Sequence, residues 1–223
     1  MKRLRTNVRR IFVIAILLFA APREELLIAG AVLIVIGQII HFISAGYLVK
    51  KEELITAGPY RFTRNPFYFA NLLSDCGLCL MSANPYVATA YLAVFYLMII
   101  PARVKREEAF LLNRFGDAFR AYCNKVPRLI PYKLGAKFDN PSGEFSWHQI
   151  IEYREIWRVM RAFGLIIIFY LLYSIKFNIF SFPPQWPLLI SSAKNIIALV
   201  SLAFIIIVPP IIQFGFLSKK ITK

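Results

Sequence analysis

Two polar clusters, far apart in the chain, carry the residue types that chemistry needs. One is Arg64-Asn65-Pro66, with Tyr60 and Tyr68 on either side; the other is Glu107-Glu108. A carboxylate takes a cation through a charge-assisted hydrogen bond. An Asn-Pro helix start presents free backbone N–H groups and the positive end of the helix dipole, which suit an anion. Tyrosine rings supply a wall for a cationic or flat group. Joined, these parts make a site for a molecule that carries both signs of charge. Adjacent glutamates diverge by about 100° on a helix, so one faces such a ligand and the other pairs with Arg103, Arg106 or a loop arginine.

The elements that must bring the clusters together are apolar. The chain has 223 residues, 58% of them hydrophobic, with 20 Phe, and its mean hydropathy is +0.59. Soluble domains sit nearer ~45–50% apolar. Composition therefore predicts an all-α, polytopic transmembrane bundle of about six spans, over 11–21, 26–49, 67–83, 86–102, 162–182 and 188–217. The first run is short unless residues 6–10 join it and snorkel. It reads as a retained anchor rather than a cleaved signal. Gly30, Gly37, Ser44, Ala45 and Gly46 permit close helix approach. Asn84-Pro85 allows only a tight hairpin. Asn65 reads as an N-cap with Pro66 at the first helical position, Gly116 as a helix end, Asp117 as a restart, and Ser146 with Gln149 as a capping box. The box opens a helix over 147–161 that reads as lying in the interface plane.

Net charge is +15, yet placement explains it. Of the 27 Lys and Arg, 24 fall in residues 1–10, 50–66, 103–161 and 219–223, all on one side if the spans alternate. The positive-inside rule makes that side cytoplasmic. Both termini, both polar clusters and a helical lid over 103–132 then share the cytoplasmic face. Basicity is topology, with attraction to anionic lipid following from it, and no nucleic-acid partner is implied. Cys76 and Cys79 have metal or redox spacing but no second pair or nearby His, so they read as packing residues and no metal site is expected. Asp75, inside a span, is a functional candidate, or a structural partner of a buried Lys or Arg, of Gln38 or of His41.

The run GPYRFTRNPFYFAN, followed some forty residues on by REEAFLLNRFGDAFRAYCNKVPRLIP, resembles the core of the integral-membrane methyltransferases that include isoprenylcysteine carboxyl methyltransferase and the phospholipid N-methyltransferases. The resemblance covers residues 45–133. It implies S-adenosylmethionine as cofactor, bound near the cytoplasmic face by Tyr60, Arg64, Asn65, Pro66, Tyr68, Glu107 and Glu108, with Arg64, Asn65 and Glu108 as the candidate catalytic residues. Asn65 stands where the family commonly has His, and Ala70 where it often has Gly. The implied acceptor is lipophilic or lipidated and enters from the bilayer. A carboxylate acceptor needs no base, and Arg61, Arg64, Arg120 or Arg128 could hold it. The alternatives are a phospholipid amine as acceptor, a sterol-type membrane reductase using NADPH, and a scaffold without catalysis. The chain divides into N-terminal helices (1–49), a core (50–133), a linker with the interfacial helix (134–161) and a C-terminal helix pair (162–223).

Overall fold

The computed structural model describes residues 2–48, 53–132, 135–152, 154–176 and 192–221. They form helices α1 (Lys2–Leu18), α2 (Glu24–Tyr47), α3 (Pro66–Ser82), α4 (Pro85–Leu92), α5 (Ile100–Lys125), α6 (Trp147–Glu152), α7 (Glu155–Ser174) and α8 (Ala193–Ile221), with no strand among the described residues. Among the described residues, three helices are long and apolar enough to cross a membrane: α2, α7, and the continuous helix Pro85–Lys125 that holds α4 and α5. The 17 residues of α1 and of α3 fall short of the ~20 of a full span. In α8, which has 29 residues, the described side chains of Ala193–Ile207 form an apolar stretch, and the expected connection between the last two spans lies outside the described residues.

Association of helices in hydrocarbon relies on close packing and polar contacts, because lipid is as apolar as leucine. The crossing of α2 and α3 uses both. A Cβ on Gly30 would come within 2.4 Å of the Gly77 carbonyl oxygen, one on Gly77 equally close to that of Gly30, and one on Gly37 within 2.6 Å of the Ala70 carbonyl. Gln38 Nε2 donates to Ser74 Oγ at 2.9 Å across the same seam. The small residues expected to allow close approach are all buried. Around this pair, Ile16, Ile34, Met81, Tyr91, Phe95 and Phe169 form one core drawn from α1, α2, α3, α4 and α7. The C-terminal part is thus built into the bundle.

The tight hairpin forms as expected. Ala83 takes a left-handed conformation, and Asn84 Oδ1 accepts from the N–H groups of Tyr86 and Val87, capping α4 ahead of Pro85. Within the second arm, Ala93–Ile99 is a π turn, which periodicity did not foretell. It directs Tyr96 to Asp75, which accepts the Tyr96 hydroxyl at 2.7 Å and pairs with Arg9 at 2.7 Å. Buried Asp75 therefore has an arginine partner, itself partly exposed, whereas Gln38 and His41 bond elsewhere. Gly116, at φ 49°, breaks α5 where the sequence predicted an end and a restart.

Three expectations change. The Ser146–Gln149 box does not close: the Ser146 N–H donates to the Gly46 carbonyl at 2.8 Å, and Gln149 Oε1 is buried without a partner. The helix expected over 147–161 breaks at Arg154, which sits at φ 56°, so residues 155–161 open α7 instead. Arg158 consequently turns inward, where it donates to Asn71 Oδ1 of α3. The segment expected to be a linker is instead a strap. The Ser142 carbonyl accepts from the N–H groups of Thr56 and Ala57 at 3.0 Å, and the Ala136 N–H donates to the Arg61 carbonyl at 2.8 Å.

Candidate functional site

The residues after α2 reach the site through a turn that only glycine enters freely. Gly58, at φ 56° with the Tyr47 ring against it, starts a single 3-10 turn, Gly58–Arg61. The Tyr60 carbonyl there accepts the buried Tyr122 hydroxyl of α5 at 2.7 Å. Burial pushes the Tyr122 phenol well above its ordinary range, so it stays a donor. From this anchor residues 63–65 run alongside the chain that leaves α5. The Arg64 N–H donates to the Pro127 carbonyl at 2.9 Å and Asn65 Nδ2 to the Arg128 carbonyl at 2.8 Å.

That pairing brings the two polar clusters together. Arg64 Nη2 lies 3.6 Å from Glu108 Oε1, and Arg128 Nη2 lies 2.8 Å from Glu108 Oε2. The Tyr68 hydroxyl donates to Glu107 Oε1 at 2.8 Å, and Arg103 Nε reaches the same oxygen at 3.0 Å. Ile100 and Val104 pack against Tyr68, while the Arg103 guanidinium lies 5.9 Å from the centre of its ring. Both glutamates thus carry arginine partners, rather than one alone.

The two carboxylates differ in setting. The Glu107 side chain is 46% exposed and that of Glu108 17%, with Arg64 at 15%. Two buried atoms of the Arg64–Glu108 pair, Arg64 Nε and Glu108 Oε1, have no hydrogen-bond partner. A buried polar atom left unpaired costs about 1–3 kcal/mol, so such atoms mark a place where something else bonds. Here one is a donor and the other an acceptor, side by side.

Asn65 occupies the N-cap position with Pro66 at the first helical position, as expected, but its side chain does not cap α3. It is spent on the Arg128 carbonyl, and the first turn of α3 is left without a side-chain cap. Tyr60 is buried and contributes its carbonyl to the scaffold. Arg61 turns to the strap, donating to the Ala136 carbonyl at 3.0 Å, and Arg120 pairs with Asp117 on its own helix at 2.7 Å. Neither joins the site. Tyr122 and Thr63 were not singled out from the sequence. Tyr122 lies within the quoted run, and that was its only signal.

Below Tyr68, the same face of α3 carries Asn71 and Asp75, at helical spacings of three and four residues. Asn71 is met by Arg158 of α7, and Asp75 by Arg9 of α1 and by Tyr96. Beside them, His41 Nδ1 and Glu155 Oε2 are 2.8 Å apart and both buried. These residues come from five elements, and no short motif announces them.

Residues 11–118 match the family described as phospholipid methyltransferase. The chain is similar to the cobalt-zinc-cadmium resistance protein of Cupriavidus metallidurans, 32% identical over 145 residues, which are 61% of this chain and 64% of that one. It is similar to protein-S-isoprenylcysteine O-methyltransferase B of Arabidopsis thaliana, 32% identical over 115 residues, 46% of this chain and 58% of that one. It is also similar to the human protein-S-isoprenylcysteine O-methyltransferase, 27% identical over 124 residues, 50% of this chain and 43% of that one. The chain thus spans less than two thirds of each of these relatives. No solved structure matches.

Proposed function

We propose that this chain, whose residues 11–118 match the family described as phospholipid methyltransferase, transfers a methyl group from S-adenosylmethionine to a lipophilic acceptor at the cytoplasmic face of the membrane. The observation that carries the reading is the donor and the acceptor atom of the half-buried Arg64–Glu108 pair that make no hydrogen bond. The amino-acid end of S-adenosylmethionine is their complement: an ammonium for Glu108 Oε1 and a carboxylate for Arg64 Nε.

The neighbouring residues fit the rest of the molecule. The first turn of α3, uncapped by a side chain, turns the positive end of its dipole to the same carboxylate, although Pro66 has no N–H and those of Tyr68 and Phe69 donate to the Asn65 carbonyl. Tyr68, held by Glu107 and by packing on Ile100 and Val104, supplies an aromatic ring for adenine or for the sulfonium. When bound, S-adenosylmethionine supplies a methyl carbon that an acceptor oxygen bonds as the carbon–sulfur bond breaks, the electron pair staying on sulfur. The protein's part is alignment. Asn65 fixes Arg128, Arg128 and Arg64 fix Glu108, and Tyr122 fixes the loop that carries Arg64. Such positioning is the main requirement of an in-line displacement.

A carboxylate acceptor is a nucleophile without losing a proton, which suits a site whose acids are held as ion pairs. Two relatives are named isoprenylcysteine O-methyltransferases, and we extend that acceptor class to this chain. The distribution of Lys and Arg supports cytoplasmic termini and a cytoplasmic site, with α1, α3 and α8 completing an even number of crossings together with the three longer helices. The test is incubation of detergent-purified protein with methyl-labelled S-adenosylmethionine and N-acetyl-S-farnesylcysteine. Label recovered as a base-labile methyl ester supports the reading. Label in phosphatidylethanolamine alone would move it to amine methylation, and no transfer to either would overturn it.

A further inference from the structure

The face of α3 below Tyr68 bears three polar residues at successive turns, each met from a different part of the bundle. Tyr68 meets Glu107 and Arg103 of α5, Asn71 meets Arg158 of α7, and Asp75 meets Arg9 of α1 and Tyr96 of the π turn. Asn71 lies one turn deeper than Tyr68, about 4.5 Å along the axis at 1.5 Å per residue. The first and third of these contacts are neutralised at short range. Asp75 has Arg9 at 2.7 Å, and Glu107 has Arg103 at 3.0 Å.

Arg158 is different. Its one short contact is to the neutral amide oxygen of Asn71. The nearest carboxylate, Glu155 Oε2, is 4.0 Å from its Nε, and that oxygen is already engaged by His41 Nδ1 at 2.8 Å. Arg158 Nε is buried and has no hydrogen-bond partner. A guanidinium is a planar fork made to grip an oxyanion through two parallel N–H bonds. The Arg158 side chain is 27% exposed and its nearest carboxylate stands 4.0 Å away, so its charge is only loosely compensated, and charged groups that face the interior of a helical bundle mark binding sites. Arg158 also lies beyond the segment matched by the family, which ends at residue 118.

We propose that Arg158 anchors the anionic head of the methyl acceptor, one turn below Tyr68 on the α3 face, and so sets which lipids are accepted. The inference rests on the methyltransferase reading and names its acceptor subsite. Asn71 orients the fork, and the His41–Glu155 pair keeps Glu155 from closing on it. An acceptor anion at Arg158 lies in the same bundle interior as Tyr68, so the donor and acceptor subsites share one wall. The shared ligand chemistry is an oxyanion on a hydrocarbon chain, as in a lipid carboxylate or a phosphodiester.

The experiment measures acceptor binding without the methyl donor, by titrating purified wild type, Arg158→Gln and Arg158→Lys with N-acetyl-S-farnesylcysteine and with its carboxamide. Loss of a buried, paired charge contact weakens binding of the carboxylate at least ~30-fold in Arg158→Gln. Arg158→Lys keeps part of it, and the carboxamide binds wild type and Arg158→Gln alike. Phosphatidylethanolamine competing in wild type but not in Arg158→Gln would assign the subsite to a phosphodiester instead of a carboxylate. Equal carboxylate binding in wild type and Arg158→Gln overturns the proposal. So does an equal loss of carboxylate and carboxamide, which would make Arg158 a strut between α7 and α3. S-adenosylhomocysteine binding, read in the same preparations, separates this outcome from failure of the methyltransferase reading itself.

Discussion

Replacing Glu108 by Gln, compared with the same change at Glu107, tests which carboxylate takes the donor's ammonium. The Glu108 side chain is 17% exposed, its Oε2 is held by Arg128 at 2.8 Å, and its Oε1 is a buried atom without a hydrogen bond, 3.6 Å from Arg64 Nη2. A hydrogen bond to a charged group is worth about 1.5–3 kcal/mol. At 1.4 kcal/mol per factor of ten, Glu108→Gln weakens S-adenosylhomocysteine binding about 10–150-fold. Glu107 is 46% exposed and bonded to Tyr68 and Arg103. Exposed pairs contribute about 0.2–1 kcal/mol, and a Gln carbonyl still accepts from Tyr68, so Glu107→Gln weakens binding by less than ~5-fold. The assay is isothermal titration of detergent-purified variants, with thermal melts to show that each is folded. A larger loss at Glu107 than at Glu108, or wild-type affinity in both variants, refutes the assignment.

Other perturbations test the scaffold. Gly77→Ala forces a methyl against the Gly30 carbonyl and costs about 1–3 kcal/mol, seen as a thermal melt lowered by several degrees; an unchanged melt contradicts the close crossing. Asp75→Asn removes one partner of an ion pair whose Arg9 is partly exposed and costs about 1–3 kcal/mol. In a cycle with Arg9→Gln, the double variant loses less than the sum, and strict additivity would mean that the pair does not form. Tyr122→Phe deletes the bond to the Tyr60 carbonyl for about 0.5–1.5 kcal/mol. Because burial raises the Tyr122 phenol, its neutral form is favoured on folding, and the stabilisation it gives is complete below the unfolded value near ~10 and falls as pH rises beyond it. The wild-type melt therefore drops more steeply than that of Tyr122→Phe above about pH 10, and parallel curves contradict the buried bond. In a variant lacking the native cysteines, a cysteine at Asn84 reacts with an impermeant thiol reagent from outside the cell and one at Asp139 does not; the reverse pattern inverts the topology.

The sequence made much of this legible because the site uses local signals. Pro66 opens α3, Gly116 breaks α5, and Asn84-Pro85 closes the hairpin, each through backbone restrictions that one or two residues impose. The meeting of Arg64 with Glu108 followed from placing both clusters at the same membrane edge. What stayed hidden depends on long-range geometry. The bond from Asn65 to the Arg128 carbonyl replaces a local cap with a distant one, and cap propensity does not distinguish the two. The π turn that aims Tyr96 at Asp75 shifts the helical phase without any Pro or Gly to mark it. Arg158 sits in a stretch with alternating arginines that reads as an interfacial face, and only the break at Arg154 turns it inward.

The account stands most directly on whether the Arg64–Glu108 pair binds the methyl donor. Equilibrium binding of S-adenosylmethionine, with NADPH as the comparison, should be measured on wild type, Arg64→Gln and Glu108→Gln in detergent. The expected result is saturable S-adenosylmethionine binding, weakened at least ~10-fold in both variants, and none of NADPH. Binding of NADPH in place of S-adenosylmethionine, or S-adenosylmethionine binding untouched by either substitution, would contradict it.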